Sequence, residues 1–200
     1  MKHLSTTAAR RVVAVAAAVA AAGLAVTSAA FAATSSPSGA VVPRCAAIAG
    51  GGPGLGLGVW VAADQGNGAA GTIFYPLEFT NLSGRTCSLY GFPGVSAIDR
   101  EGRQLGSPAG WESGTQGGGP FGTAHTVILA PGATAHAMLA YHDAVVGSAP
   151  GCHPATASEL RVYPPDQRTA ARAFFDLPVC SHAGPVYLNV GPIQRGTISG

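Results

Sequence analysis

Residues 79–102 read FTNLSGRTCSLYGFPGVSAIDREG. Phe79-Thr80 ends a run that alternates apolar and polar residues, and Asn81 to Arg85 supplies turn chemistry, with Gly84 able to take positive φ. Thr86 to Tyr90 reads as the return strand of a hairpin, with Cys87 and Leu89 on one face. Gly91-Phe92-Pro93-Gly94 reads as a corner: Gly frees the backbone, Pro fixes φ, and Phe92 is expected to plug the core beneath. Val95 to Ile98 resumes as a strand, and Asp99 to Gly102 turns again. Short strands, tight turns and a cysteine in one of the strands describe a disulfide-stapled β domain.

The flanking chain extends the pattern. Residues 55–60 alternate Leu, Leu and Val against small residues, and Trp60 is expected in the core. In residues 72–80, Ile73, Tyr75, Leu77 and Phe79 share one face, and Thr72, Phe74, Glu78 and Thr80 the other. Pro76 lacks an amide hydrogen, so this strand is expected at an edge or bulged. Residues 123–129 and 134–141, joined by Pro131-Gly132, read as a second hairpin. Residues 144–154 read as a loop, 159–163 as a strand stopped by Pro164-Pro165, 166–172 as a helical turn, 173–180 as extended and 185–190 as the last strand. Eight or so short strands without a sustained 3.6 period argue an all-β sandwich.

The N-terminus points to export. Lys2, Arg10 and Arg11 precede an uncharged run over 12–26, and Ala30-Phe31-Ala32 offers a small-residue cleavage site. That is the layout of a secretory signal peptide over 1–32; the apolar run is shorter than the ~20 residues a spanning helix needs. The Arg10-Arg11 pair opens a twin-arginine motif whose remainder is missing, and no lipid-attachment cysteine follows the apolar run. Residues 33–44 have the Ser, Pro, Gly and Ala composition of a flexible linker, and one domain over 45–200 is expected.

Cleavage would change the charge. Taking Lys2, Arg10 and Arg11 from the eleven basic residues leaves eight arginines against nine acidic residues, so the formal net charge moves from +2 to −1. No basic patch then tracks a phosphate backbone or invites an anionic membrane, so neither nucleic acid nor a membrane span after cleavage is expected, and the domain reads as a monomer.

Four cysteines, at 45, 87, 152 and 180, read as two disulfides in an exported chain. Three connectivities are open. The sequential one, Cys45 with Cys87 and Cys152 with Cys180, is preferred because it staples each half locally. No C-x-x-C spacing supports zinc or a redox pair.

Candidate chemistry is thin. Histidines at 125, 136, 142, 153 and 182 raise a copper alternative, with His136 and Met138 on one strand face and His142 and His153 as further ligands. A blue-copper site needs a free cysteine followed closely by His and Met, and no Met follows Cys180-Ser181-His182. A hydrolase is the other alternative, with His142-Asp143 as its suggestive pair, but no G-x-S-x-G elbow is present. Gly117-Gly118-Gly119 lacks the Lys-Ser/Thr of a phosphate loop. Asn81-Leu82-Ser83 matches a glycosylation sequon and reads as the turn itself. We therefore expect no catalytic residue, no metal and no cofactor. The candidate binding surface is the Gly-rich stretch 106–122 with its neighbours: Trp111, Glu112, Tyr90 and Tyr141.

Taken together, Cys45, Phe79-Thr80-Asn81, Cys87-Ser88-Leu89, Gly91-Phe92-Pro93-Gly94-Val95, Asp99-x-x-Gly102, Leu129-x-Pro131-Gly132, Cys152, Leu160-x-Val162 and Cys180 resemble the secreted actinobacterial "domain of unknown function 4232" family. The resemblance implies an immunoglobulin-like antiparallel β-sandwich exported to the cell surface or medium. It supplies no reaction, ligand or catalytic residue. The expected function is an exported, non-catalytic module that binds an envelope or extracellular partner.

Overall fold

The computed structural model describes residues 41–47, 56–114 and 120–198. The expected leader and most of the expected linker lie outside these residues. Among the described residues no helix is long and apolar enough to cross a membrane.

Among the described residues, thirteen strands build two facing sheets and a ribbon. The large sheet runs in the order β1 (Leu57–Val61), β3 (Thr72–Asn81), β9 (Thr134–Tyr141), β12 (Leu188–Val190), β7 (Gly110–Trp111); β2 (Asn67–Ala69) also pairs with β3, and β13 (Gln194–Arg195) with β9. The second sheet runs β11 (Ala171–Cys180), β10 (Pro154–Tyr163), β5 (Gly94–Ile98), β6 (Gln104–Leu105). A ribbon of β4 (Cys87–Leu89) and β8 (Val127–Leu129) completes the fold. Pairing between these strands is antiparallel except for β12 with β7, which is parallel. The short helix α1 (Asp143–Ser148) occupies part of the expected 144–154 loop.

The core lies between the sheets. Leu77, Phe79 and Leu139 from one side meet Val95, Leu160, Val162 and Val179 from the other, with Tyr187 and Ile193 among them. The expected alternation of β3 holds, since Ile73, Tyr75, Leu77 and Phe79 all face this cluster. Tyr75 meets Phe175 of β11 edge to face, ring centroids 4.9 Å apart. Both disulfides take the sequential pairing, Cys45–Cys87 and Cys152–Cys180.

Several expectations are corrected. β3 is interior, flanked by β1 and β9, not an edge. It tolerates Pro76 because Pro76 carbonyl accepts from Ala62 N beyond the end of β1, so the missing N–H falls where the neighbour changes from β1 to β2. Neither expected hairpin forms: β3 pairs with β1, β2 and β9, whereas β4 pairs with β8. Asn81 is the reason. Its amide nitrogen donates to Arg85 and Leu129 carbonyls, and its Oδ1 accepts from Ser83 N and Oγ. The two connections, β3 to β4 and β8 to β9, thus cross side by side and pass the chain from the large sheet to the ribbon and back. All four hydrogen-bonding positions of a buried amide are used, which fits the turn reading of the sequon. The expected helical turn over 166–172 does not form: a turn and bends occupy 165–169, β11 begins at Ala171, and Asp166 takes φ +58 straight after the two prolines.

Tyr187 is fully buried, and its hydroxyl donates to Leu105 carbonyl at 2.8 Å. Burial, with Tyr141 nearby, pushes its hydroxyl far above the usual tyrosine range. Tyr141 is raised as well, by burial first and then by Asp143 and Tyr75. A folded-state pKa above the unfolded value near 10 means this stabilisation is whole below pH ~10 and is lost as pH rises beyond it. Thermal unfolding followed from pH 7 to 11 is expected to show a Tm that falls above pH ~10. Tyr187→Phe should flatten that fall, while costing about 1 kcal/mol at neutral pH for the hydrogen bond. An alkaline limb of unchanged steepness in the variant would contradict this.

Candidate functional site

The strongest surface feature joins two distant stretches, the 91–94 corner and the start of the Gly-rich segment. Trp111 belongs to β7, which adds to the large sheet beside β12, with Val190 in register with Trp111. The corner arrives between the ribbon and β5, pinned where Ile193 N donates to Gly91 carbonyl. Phe92 and Trp111 stack with centroids 5.5 Å apart and 20° between planes. Trp111 Nε1 donates to Pro93 carbonyl at 3.2 Å, which fixes the indole against rotation. One indole face is thus covered by Phe92, yet the residue remains 66 % exposed. The uncovered face looks to solvent. Tyr90 is 59 % exposed two residues before Phe92, and Val186 is exposed beside β7. A fixed aromatic face with low side-chain entropy left to lose is the kind of anchor that dominates interfaces.

Glu112, the next residue, joins a different structure. Its Oε1 accepts from Asn189 Nδ2 at 2.8 Å; the same amide nitrogen lies 3.3 Å from His142 Nε2, and His142 Nδ1 lies 2.8 Å from Thr72 Oγ1. The carboxylate can only accept, so the amide donates both ways. His142 Nε2 is therefore the acceptor, and its Nδ1–H donates to the Thr72 hydroxyl. A nucleophilic hydroxyl must donate to its base, so this polarity is that of a positioning chain, tying β3 and β12 to the residues that follow β7 and β9. Asp143 does not orient His142; its Oδ1 accepts from Ala144 N.

The other expected site residues separate. Tyr141 is a core residue, 5 % exposed, with its hydroxyl donating to Pro178 carbonyl, so it forms no part of a surface. An aromatic on the inward-facing register of β9 is buried with its neighbours Ala137 and Leu139, and only a polar handle remains to be satisfied. Phe92 is half-buried rather than a core plug. Trp60 faces outward from β1 and is not in the core, because Leu57 and Val59 occupy the inner face. The Gly-rich segment is anchored: Gly114 and Gly122 form a bridge, and Phe121 is buried with Met138 and Ala140 and meets Phe74 edge to face. Residues 115–119 lie outside the described part.

His136 and Met138 share the outer face of β9, but Met138 is buried beneath Phe121 and His136 Nδ1 bonds to Gly196 carbonyl. His153 instead meets the ring of His182, centroids 5.9 Å apart, beside the Cys152–Cys180 disulfide. Among the described residues no group of three or more His, Cys, Asp or Glu is placed to hold a metal. Sequence reasoning missed Phe92 as a surface residue. Its signal was present in the corner, where Gly91 before it and Pro93-Gly94 after it leave an aromatic free to turn out, but nothing local named Trp111 as its partner.

A family model described as "Domain of unknown function (DUF4232)" matches residues 56–194. No curated protein and no solved structure matches the chain.

Proposed function

The chain belongs to the domain of unknown function 4232 family, and from that premise we propose that it is an exported, non-catalytic module that binds an envelope or extracellular partner through the Phe92–Trp111 face. The observation that carries the reading is an indole held by a stack and a hydrogen bond while its free face stays open to solvent. Export is supported by two disulfides, which persist in oxidising compartments. The non-catalytic reading is supported by the polarity of the Thr72–His142–Asn189–Glu112 chain.

Trp111→Ala tests the assignment. Truncating an interface anchor typically costs 2 kcal/mol or more, so capture of partners from the native envelope fraction should fall roughly 30-fold or further. Phe174→Ala is the control, since Phe174 is 84 % exposed but stands on the other sheet, at edge strand β11. Matched Tm values would show that both variants fold. Undiminished capture by Trp111→Ala, or an equal loss with Phe174→Ala, would sink the assignment.

A further inference from the structure

The outer face of the large sheet carries a row that the Phe92–Trp111 face does not use. Trp60 of β1, Glu78 of β3, His136 of β9 and Gln194 of β13 stand in register across four strands. Glu78 is the anomaly. It is only 8 % exposed, yet no hydrogen bond or ion pair reaches its side chain among the described residues. A carboxylate so placed is ordinarily paired. Its oxygens are not sealed: the one fully enclosed side-chain polar atom without a partner among the described residues is Ser158 Oγ. The carboxylate is therefore within reach of solvent.

Its neighbours define what would enter. The His136 Nδ1 hydrogen bond to Gly196 carbonyl at 2.8 Å puts the proton on Nδ1 and leaves the Nε2 lone pair free in the neutral ring. Glu78 and His136 are directly opposed, so two acceptors stand side by side with no donor between them. Trp60 is 40 % exposed, and its indole packs over Gly58, where a Cβ would lie 3.5 Å from the ring and 2.8 Å from Leu82. The row thus sets an aromatic residue in register with two neighbouring acceptors, one of them a carboxylate.

We propose that this row is a binding site for a primary alkylammonium group. The –NH3⁺ head donates to the Glu78 carboxylate and to His136 Nε2, and the methylene stem lies along the Trp60 indole, where cation–π attraction adds to apolar contact. The compact head suits a carboxylate only 8 % exposed better than a planar guanidinium does. The same chemistry comes from a free diamine or from a lysine side chain.

The test is titration of the full-length oxidised protein with 1,5-diaminopentane and, separately, with Nα-acetyl-lysine methylamide, followed by NMR at the Trp60 indole and His136 ring. Saturable shifts at both positions are expected with at least one ligand. Both binding equally points to the head group alone; the lysine derivative binding tighter points to a polypeptide source, and the diamine alone to a free amine. Glu78→Gln, which keeps the side-chain volume, should weaken binding tenfold or more. Trp111→Ala should leave it unchanged, which separates this site from the Phe92–Trp111 face. Absence of saturation by either amine, equal binding by Glu78→Gln, or equal shifts from 1-pentanol would overturn the proposal.

Discussion

Replacing both cysteines of either disulfide by alanine is expected to cost about 3.5–4 kcal/mol on the chain-entropy account of loop closure. The loops are long, with sequence separations of 42 for Cys45–Cys87 and 28 for Cys152–Cys180. The two bonds do different structural work. Cys45–Cys87 fastens the N-terminal segment to the ribbon, where Cys45 N donates to Ser88 carbonyl and Ser88 N to Pro43 carbonyl. Cys152–Cys180 holds the segment after α1 to the end of β11. Removing both should cost roughly 7–8 kcal/mol, within the 5–15 kcal/mol that a whole domain commonly has. Urea unfolding of the two double variants and of the quadruple variant checks this. The quadruple variant should be unfolded or nearly so in buffer, and each double variant should lose about half as much as the quadruple. A quadruple variant as stable as the oxidised protein would contradict the staple argument.

Gly106→Ala is expected to be the most damaging added methyl among the described glycines, at roughly 2–4 kcal/mol. Gly106 has φ +67, a conformation that alanine adopts only with strain. A Cβ there would also lie 2.5 Å from Tyr187 Cε1 and 2.8 Å from Cys180 carbonyl oxygen. Tyr187 cannot step aside, since it is fully buried and hydrogen-bonded to Leu105 carbonyl. The Cys180 backbone cannot move without disturbing the disulfide strand. Gly84→Ala is the comparison, because a Cβ at Gly84 meets nothing within 4 Å. Thermal unfolding should separate the two variants by roughly 4–16 °C; indistinguishable Tm values would refute the close-packing account.

These residues show what the sequence makes legible. Period-two alternation placed Ile73, Tyr75, Leu77 and Phe79 inward, because burial of one sheet face leaves that imprint directly. Local loop closure favoured the observed cysteine pairing. Strand partners were not legible. Turn residues after Asn81 and at Pro131-Gly132 announce a change of direction, and they read the same whether the next strand pairs back or passes to another sheet. The deciding contact, Asn81 Nδ2 to Leu129 carbonyl, spans 48 residues. The site was half legible for the same reason. Trp111, Glu112 and Tyr90 could be singled out by type and loop context, but Trp111 acquires its meaning from Phe92 and Pro93, which reach it only through the fold. Tyr141 misled because a tyrosine reads alike on either face of a strand until its neighbours are known. Glu78 and His136 carry no sequence signal as a pair; the β3–β9 register alone opposes them.

The proposed seat of the partner is the uncovered face of Trp111. Oxidative footprinting of the native protein, free and in complex with its captured envelope partner, tests it most directly. Trp111 should oxidise readily when free and be protected at least several-fold in the complex, with Tyr90 protected alongside it and Phe174 unchanged. A complex in which Trp111 oxidises as fast as in the free protein, while protection falls on another surface, would contradict the account.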